Sequence, residues 1–142
     1  MMEARIALPQ HAETKPRTIH NGIWTYRYGY IRSSDCRRAG DPGQDYLAFE
    51  DRDGALAFAV CDGIGMSYYG DIAARFMGDK LLDWLGSEDA RYGEVQAALH
   101  SLKHMLQESA GECTSLLARH TYPASLPPIV KEALEAKKKL GS

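Results

Sequence analysis

The chain has 142 residues, 44% apolar and 25% charged, an ordinary globular composition at a length that suits one domain and excludes a multidomain machine. Such a chain buries roughly 68–70% of its unfolded surface, enough for a core without disulfides. Seventeen basic against nineteen acidic residues leave a formal net charge of −2, which gives no pull toward nucleic acid or acidic lipid. The three cysteines, Cys36, Cys61 and Cys113, are odd in number and form no Cys-x-x-Cys pair. That argues against a disulfide framework or a zinc knuckle and points to a reducing, cytoplasmic setting. The start of the chain has no signal-peptide pattern, and no apolar run approaches the ~20 residues of a membrane helix.

Residues 1–21 mix Pro9, Pro16, His11 and His20 with charges at no period, and read as a flexible N-terminal arm ahead of a domain over 22–142. Residues 23–31, rich in aromatic and β-branched side chains, predict a strand. Residues 33–44, with Gly40, Pro42, Gly43 and the basic pair Arg37-Arg38, predict a loop. Two apolar runs, 45–50 and 55–61, flank Asp51-Arg52-Asp53-Gly54 and predict a β-hairpin. Pairing Asp51 with Gly54 sets Asp45 opposite Val60, with Asp62 one step beyond on the same side. One hairpin face then carries Leu47, Phe49, Leu56, Phe58 and Val60, and the other the small residues Ala48, Ala55, Ala57, Ala59 and Cys61. Both faces read as buried, which places the hairpin at the centre of the fold.

The remainder predicts helices. Asp71 serves as a cap for a helix to Leu85, with Ala73, Phe76, Met77, Leu81, Trp84 and Leu85 on one face and Gly86 as the stop. Val95, Leu99, Leu102 and Leu106 recur at helical steps, and this helix ends near Gly111 or continues to Arg119. Pro128 opens a last helix that closes on Lys137-Lys138-Lys139. The fold class is α+β, an antiparallel sheet flanked by helices.

Chemistry concentrates at the open end of the hairpin. In the register above, Asp45 and Asp62 are diagonal neighbours about 7–8 Å apart, a spacing that admits a divalent ion between hard carboxylate oxygens. Gly63 lets the backbone turn so that its carbonyl joins them, and residues 62–67 form a lip leading into the next helix. Pattern alone leaves a second and plainer reading open: Asp-Gly turns the chain and Asp45 is a solvated strand end.

Three stretches in order tip that balance. Gly43-Gln44-Asp45-Tyr46, then residues 58–65 with Asp62-Gly63-Ile64-Gly65, then Gly70-Asp71-Ile72-Ala73-Ala74-Arg75 together resemble the PPM-type (protein phosphatase 2C) metal-dependent phosphatases. The similarity is greatest to a bacterial branch in which a basic loop leads to Gln-Asp. It covers residues 23–85 closely and the later helices loosely. The resemblance implies a β-sandwich flanked by helices, two Mn²⁺ or Mg²⁺ ions, and hydrolysis of phosphoserine or phosphothreonine in a phosphoprotein substrate. It assigns Asp62 to both ions, Gly63 to its carbonyl contact, Asp45 to a direct or water-mediated contact, and Arg38 or Arg37 to the phosphate.

Family members add further metal ligands from acidic Asp-Gly and Asp-Asn motifs late in the domain. Here Asp89 is the last aspartate, and neither dipeptide occurs after Gly63. The resemblance therefore implies the amino-terminal half of the domain, truncated, with weak or absent activity alone and with self-association or a complementary half-domain as partner. The competing reading is a non-catalytic interaction or regulatory module.

Other chemistry weighs less. His100 and His104 stand four apart on a predicted helix, a zinc-compatible spacing, but Ser101-Leu102-Lys103 between them lacks a catalytic glutamate. Cys61 reads as a buried small hydrophobe, Ser67 lacks a nucleophile elbow, and Tyr26, Tyr28 and Tyr30 read as cross-strand packing.

Overall fold

The computed structural model of the protein describes residues 5–63 and 69–140. Five strands precede a run of helices: β1 (Arg5–Ala7), β2 (Thr14–His20), β3 (Thr25–Tyr30), α1 (Ser34–Ala39), β4 (Tyr46–Arg52), β5 (Ala55–Cys61), α2 (Gly70–Leu85), α3 (Glu88–Tyr92), α4 (Val95–Arg119) and α5 (Pro128–Leu140). The strands form two antiparallel sheets, one ordered β1-β4-β5 and one of β2 with β3. The α+β class expected from the sequence is what the chain adopts. No helix among the described residues is long and apolar enough to cross a membrane.

The central hairpin forms, but in a different register. Arg52 pairs with Ala55 and Tyr46 with Cys61, so the turn is Asp53-Gly54 rather than Arg52-Asp53. The reason is backbone chirality. Asp53 (φ 50°) and Gly54 (φ 76°) both have positive φ, as a two-residue I′ turn demands, and Asp-Gly meets that demand where Arg-Asp does not. The shift is an even number of residues, so the two faces keep the membership read from the sequence.

Their burial differs from expectation. α2 lies on the small face, where Ala48, Ala59, Ala74 and Leu82 form the core with Tyr46. The helix turns Gly70, Ala74, Gly78 and Leu82 inward, not the large residues of the amphipathic reading. A Cβ on Gly78 would stand 2.4 Å from the Tyr46 ring, so the close approach requires glycine there. Leu81 and Leu85 pack at the margin of this core. The opposite face is only partly covered. Tyr26 and Tyr28 of β3 set their rings against Phe49, at 5.4 and 4.9 Å between centroids, while Phe58 and Val60 stay 63% and 69% exposed. Tyr26 and Tyr28 of β3 thus serve packing, as read, but between the two sheets.

Four further features depart from expectation. The segment read as an arm supplies β1 and β2: Ile6 pairs with Phe49, Leu8 N–H donates to the Leu47 carbonyl, and Arg5 pairs with the buried Glu50 and with Asp83. Those partners of β1 are far along the chain, so no local period announces it, whereas β2 pairs with β3 directly after it, His20 with Thr25. The loop over 33–44 contains α1, because the Ser33 hydroxyl accepts from Cys36 N–H and caps its first turn. Asp71 is not the cap of α2 but a first-turn acid; Tyr69 occupies the cap position with positive φ. A short α3, capped by Ser87, precedes α4; α4 itself runs through Gly111 to Arg119, the longer of the two ends read from the sequence.

Candidate metal centre

Asp45 ends the loop into β4 and Asp62 follows β5 directly. The observed register, carried one step past Tyr46 and Cys61, sets the two aspartates directly opposite rather than diagonally. Directly opposed residues have Cα atoms about 4.5–5.5 Å apart, closer than the diagonal spacing expected. The carboxyls meet. Burial, then a hydrogen bond to Asp62 and the Asp62 charge, hold the Asp45 carboxyl above its usual range.

Gly63 continues from this pair into a slot. A Cβ there would lie 2.6 Å from the Gln44 carbonyl oxygen and 2.7 Å from the Gly70 carbonyl oxygen, so only glycine fits. Gln44 keeps a buried Oε1 with no partner among the described residues. The Asp62 lip continues into Ile64, Gly65, Met66 and Ser67, which lie outside the described residues.

The arginines sit on α1, in its last turn. Arg38 pairs with Asp35 in a solvent-exposed ion pair. The charge of Arg37 helps hold Glu13 below the usual carboxylate range, after the hydrogen bond from Arg32 that is the main cause. Among the described residues neither arginine is paired with Asp45 or Asp62.

The other candidates find ordinary places. His100 and His104 line an open groove of about 530 Å³ with Asp89 and Glu108, and His104 Nδ1 lies 3.1 Å from Glu108 Oε2. No three His, Cys, Asp or Glu side chains converge on a metal-binding position among the described residues. Cys61 is half-buried, and burial pushes its thiol up, away from nucleophilic character.

Two residues to which the sequence assigned no role, Gln10 and Arg75, converge beside the site. Gln10, 1% exposed, donates from Nε2 to the carbonyls of Asp71 (3.0 Å) and Asp45 (3.3 Å). Its Oε1 accepts from Nε and Nη2 of Arg75, at 3.0 and 2.8 Å. A lone glutamine in an aperiodic segment offers nothing to read; only the tertiary structure shows it.

A family model described as Protein phosphatase 2C matches residues 32–138, well over half of the chain. The chain belongs to the protein phosphatase 2C family. No curated protein and no solved structure matches it. The protein phosphatase 2C match takes in α1, the β4–β5 hairpin, Asp45, Asp62, Gly63 and the helices, whereas β1, β2, β3 and Gln10 precede it.

Proposed function

We propose that this chain carries a share of a protein phosphatase 2C metal site, with Asp45, Asp62 and the Gly63 carbonyl as ligands and a phosphoserine- or phosphothreonine-bearing protein as substrate. The observation that carries the reading is the meeting of the Asp45 and Asp62 carboxyls across the end of the hairpin. Two like-charged groups set against one another favour a divalent cation between them.

The residues fit Mn²⁺ or Mg²⁺ in kind. They offer hard oxygen donors, a glycine whose cradle has no room for a side chain, and, one residue before Asp45, a buried Gln44 Oε1 with no partner among the described residues. When bound, divalent ions of this kind neutralise phosphoryl charge and make a water more acidic. Asp45 and Asp62 would hold such ions and, by their own charge, would keep the site anionic enough to retain them. Arg38, or Arg37 beside it, grips phosphate oxygens; an exposed pair such as Arg38–Asp35 is worth ~1 kcal/mol or less, so a phosphate displaces it readily.

Two carboxylates and one carbonyl leave a six-coordinate ion largely hydrated, so affinity and turnover by the chain alone are low. The test is hydrolysis of p-nitrophenyl phosphate with and without Mn²⁺, on the wild type and Asp62→Asn. The expected result is slow hydrolysis that requires both Mn²⁺ and Asp62. Hydrolysis that EDTA leaves intact, or that survives the loss of Asp62, overturns the reading.

A further inference from the structure

We propose that Gln10, together with Arg75, is a positioning pair that ties together, at a fixed spacing, the two walls of the slot behind Asp62 and thereby sets the divalent-cation affinity of the Asp45–Asp62 centre. The inference rests on the metal reading above. Gly63 lies between the carbonyls of Gln44 and Gly70. The two carbonyls that Gln10 holds, those of Asp45 and Asp71, are the next ones along the same two segments. The single amide therefore bridges the walls that confine Gly63, and one wall is the backbone of the ligand Asp45 itself.

Every hydrogen-bonding position of that amide is used. Nε2 donates twice and Oε1 accepts twice from Arg75, which fixes the amide orientation from α2. The Gln10 backbone carbonyl also accepts from Gly43 N–H at 2.7 Å, which ties down the chain just before Gln44 and Asp45. With the side chain 1% exposed, no water replaces a lost bond without rearrangement. Gln10 also precedes the family match, so this brace comes from the chain's own N-terminal segment.

The test measures Mn²⁺ binding to the full chain, by the electron paramagnetic resonance signal of free Mn²⁺, in the cold where each variant is verified as folded by circular dichroism. Outer-shell partners of metal sites are worth about 10–100-fold in affinity, so Gln10→Met, which keeps the shape and loses the polarity, is expected to weaken Mn²⁺ binding about tenfold. Arg75→Lys, which keeps the charge but not the forked pair of donors, is expected to cost about threefold and carries the test if Gln10→Met does not fold. Leu82→Ala is the control for stability alone: it is expected to lower the EDTA unfolding midpoint at least as much, yet leave Mn²⁺ affinity within about twofold. Wild-type affinity in both Gln10→Met and Arg75→Lys overturns the proposal, and so does a Leu82→Ala loss as large as that of Gln10→Met. Failure of the underlying metal reading is distinguishable, because wild type and Asp62→Asn then bind Mn²⁺ equally.

Discussion

The two faces of the β4–β5 hairpin carry similar numbers of apolar side chains but have opposite fates. The face of small residues, Ala48, Ala57, Ala59 and Cys61, is closed by α2 and forms the core. The face of large residues, Leu47, Phe49, Leu56, Phe58 and Val60, borders an open groove of about 420 Å³ under β3. Hydrophobic bulk therefore does not decide which side is buried. Small side chains let a helix come close enough to exclude water over its whole length, and the glycine and alanine stripe of α2 is the complement of that surface. The same close packing anchors the first two turns of α2, from which the Asp71 carbonyl and Arg75 meet Gln10 beside the candidate site.

The sharpest way to break the contrast is to remove a large side chain from the closed side. Leu82 is 1% exposed, so Leu82→Ala is expected to cost about 2–5 kcal/mol in urea unfolding. A cost under about 1 kcal/mol would show the closed face to be loosely packed. A smaller effect is expected from Tyr46→Phe. The Tyr46 hydroxyl donates to Asp79 Oδ1 at 2.7 Å, and its loss should cost about 1 kcal/mol. Burial, then that hydrogen bond and the Asp79 charge, raise the Tyr46 phenol above its ordinary value of 10.0. The folded state thus holds its proton more tightly than the unfolded state. That stabilisation is fully present below pH 10 and is lost as pH rises beyond it. The wild type should therefore lose more stability than Tyr46→Phe between neutral and strongly alkaline pH; parallel pH curves would contradict the assignment. The smallest effect belongs to the open side, where Phe58→Thr should stay within about 0.5 kcal/mol of the wild type in the same urea assay.

Legibility in the sequence followed the range of the interactions. α2, α4 and α5 announce themselves by period and by punctuation at Gly86 and Pro128, because a helix is held by neighbours four residues away. The hairpin was legible for the same reason, and so was the placing of Asp45 and Asp62 together at one end of it, though as diagonal neighbours rather than opposite one another. The exact register was not, since Asp51-Arg52-Asp53-Gly54 admits two turns and only the φ requirement separates them. The buried stripe of α2 was misread because periodicity weights large residues, and here glycine and alanine do the packing. β1 and Gln10 were illegible in principle: their partners, Glu50, Phe49, Asp71 and Arg75, lie tens of residues away. β2 was missed for another reason: its partner β3 follows at once, His20 pairing with Thr25, but Pro16 and the charges around it hide a strand pattern.

The Asp53-Gly54 turn lies seven residue pairs from the carboxylates, about 24 Å along the strands. It touches none of the proposed ligands, yet it is what phases them. A hairpin works like a zip whose first tooth decides how every later tooth meets. Inheritance of the site therefore depends on the length and chirality of a surface loop at the far end of the sheet. A single inserted residue there would carry Asp45 and Asp62 out of step while leaving both of them in the chain.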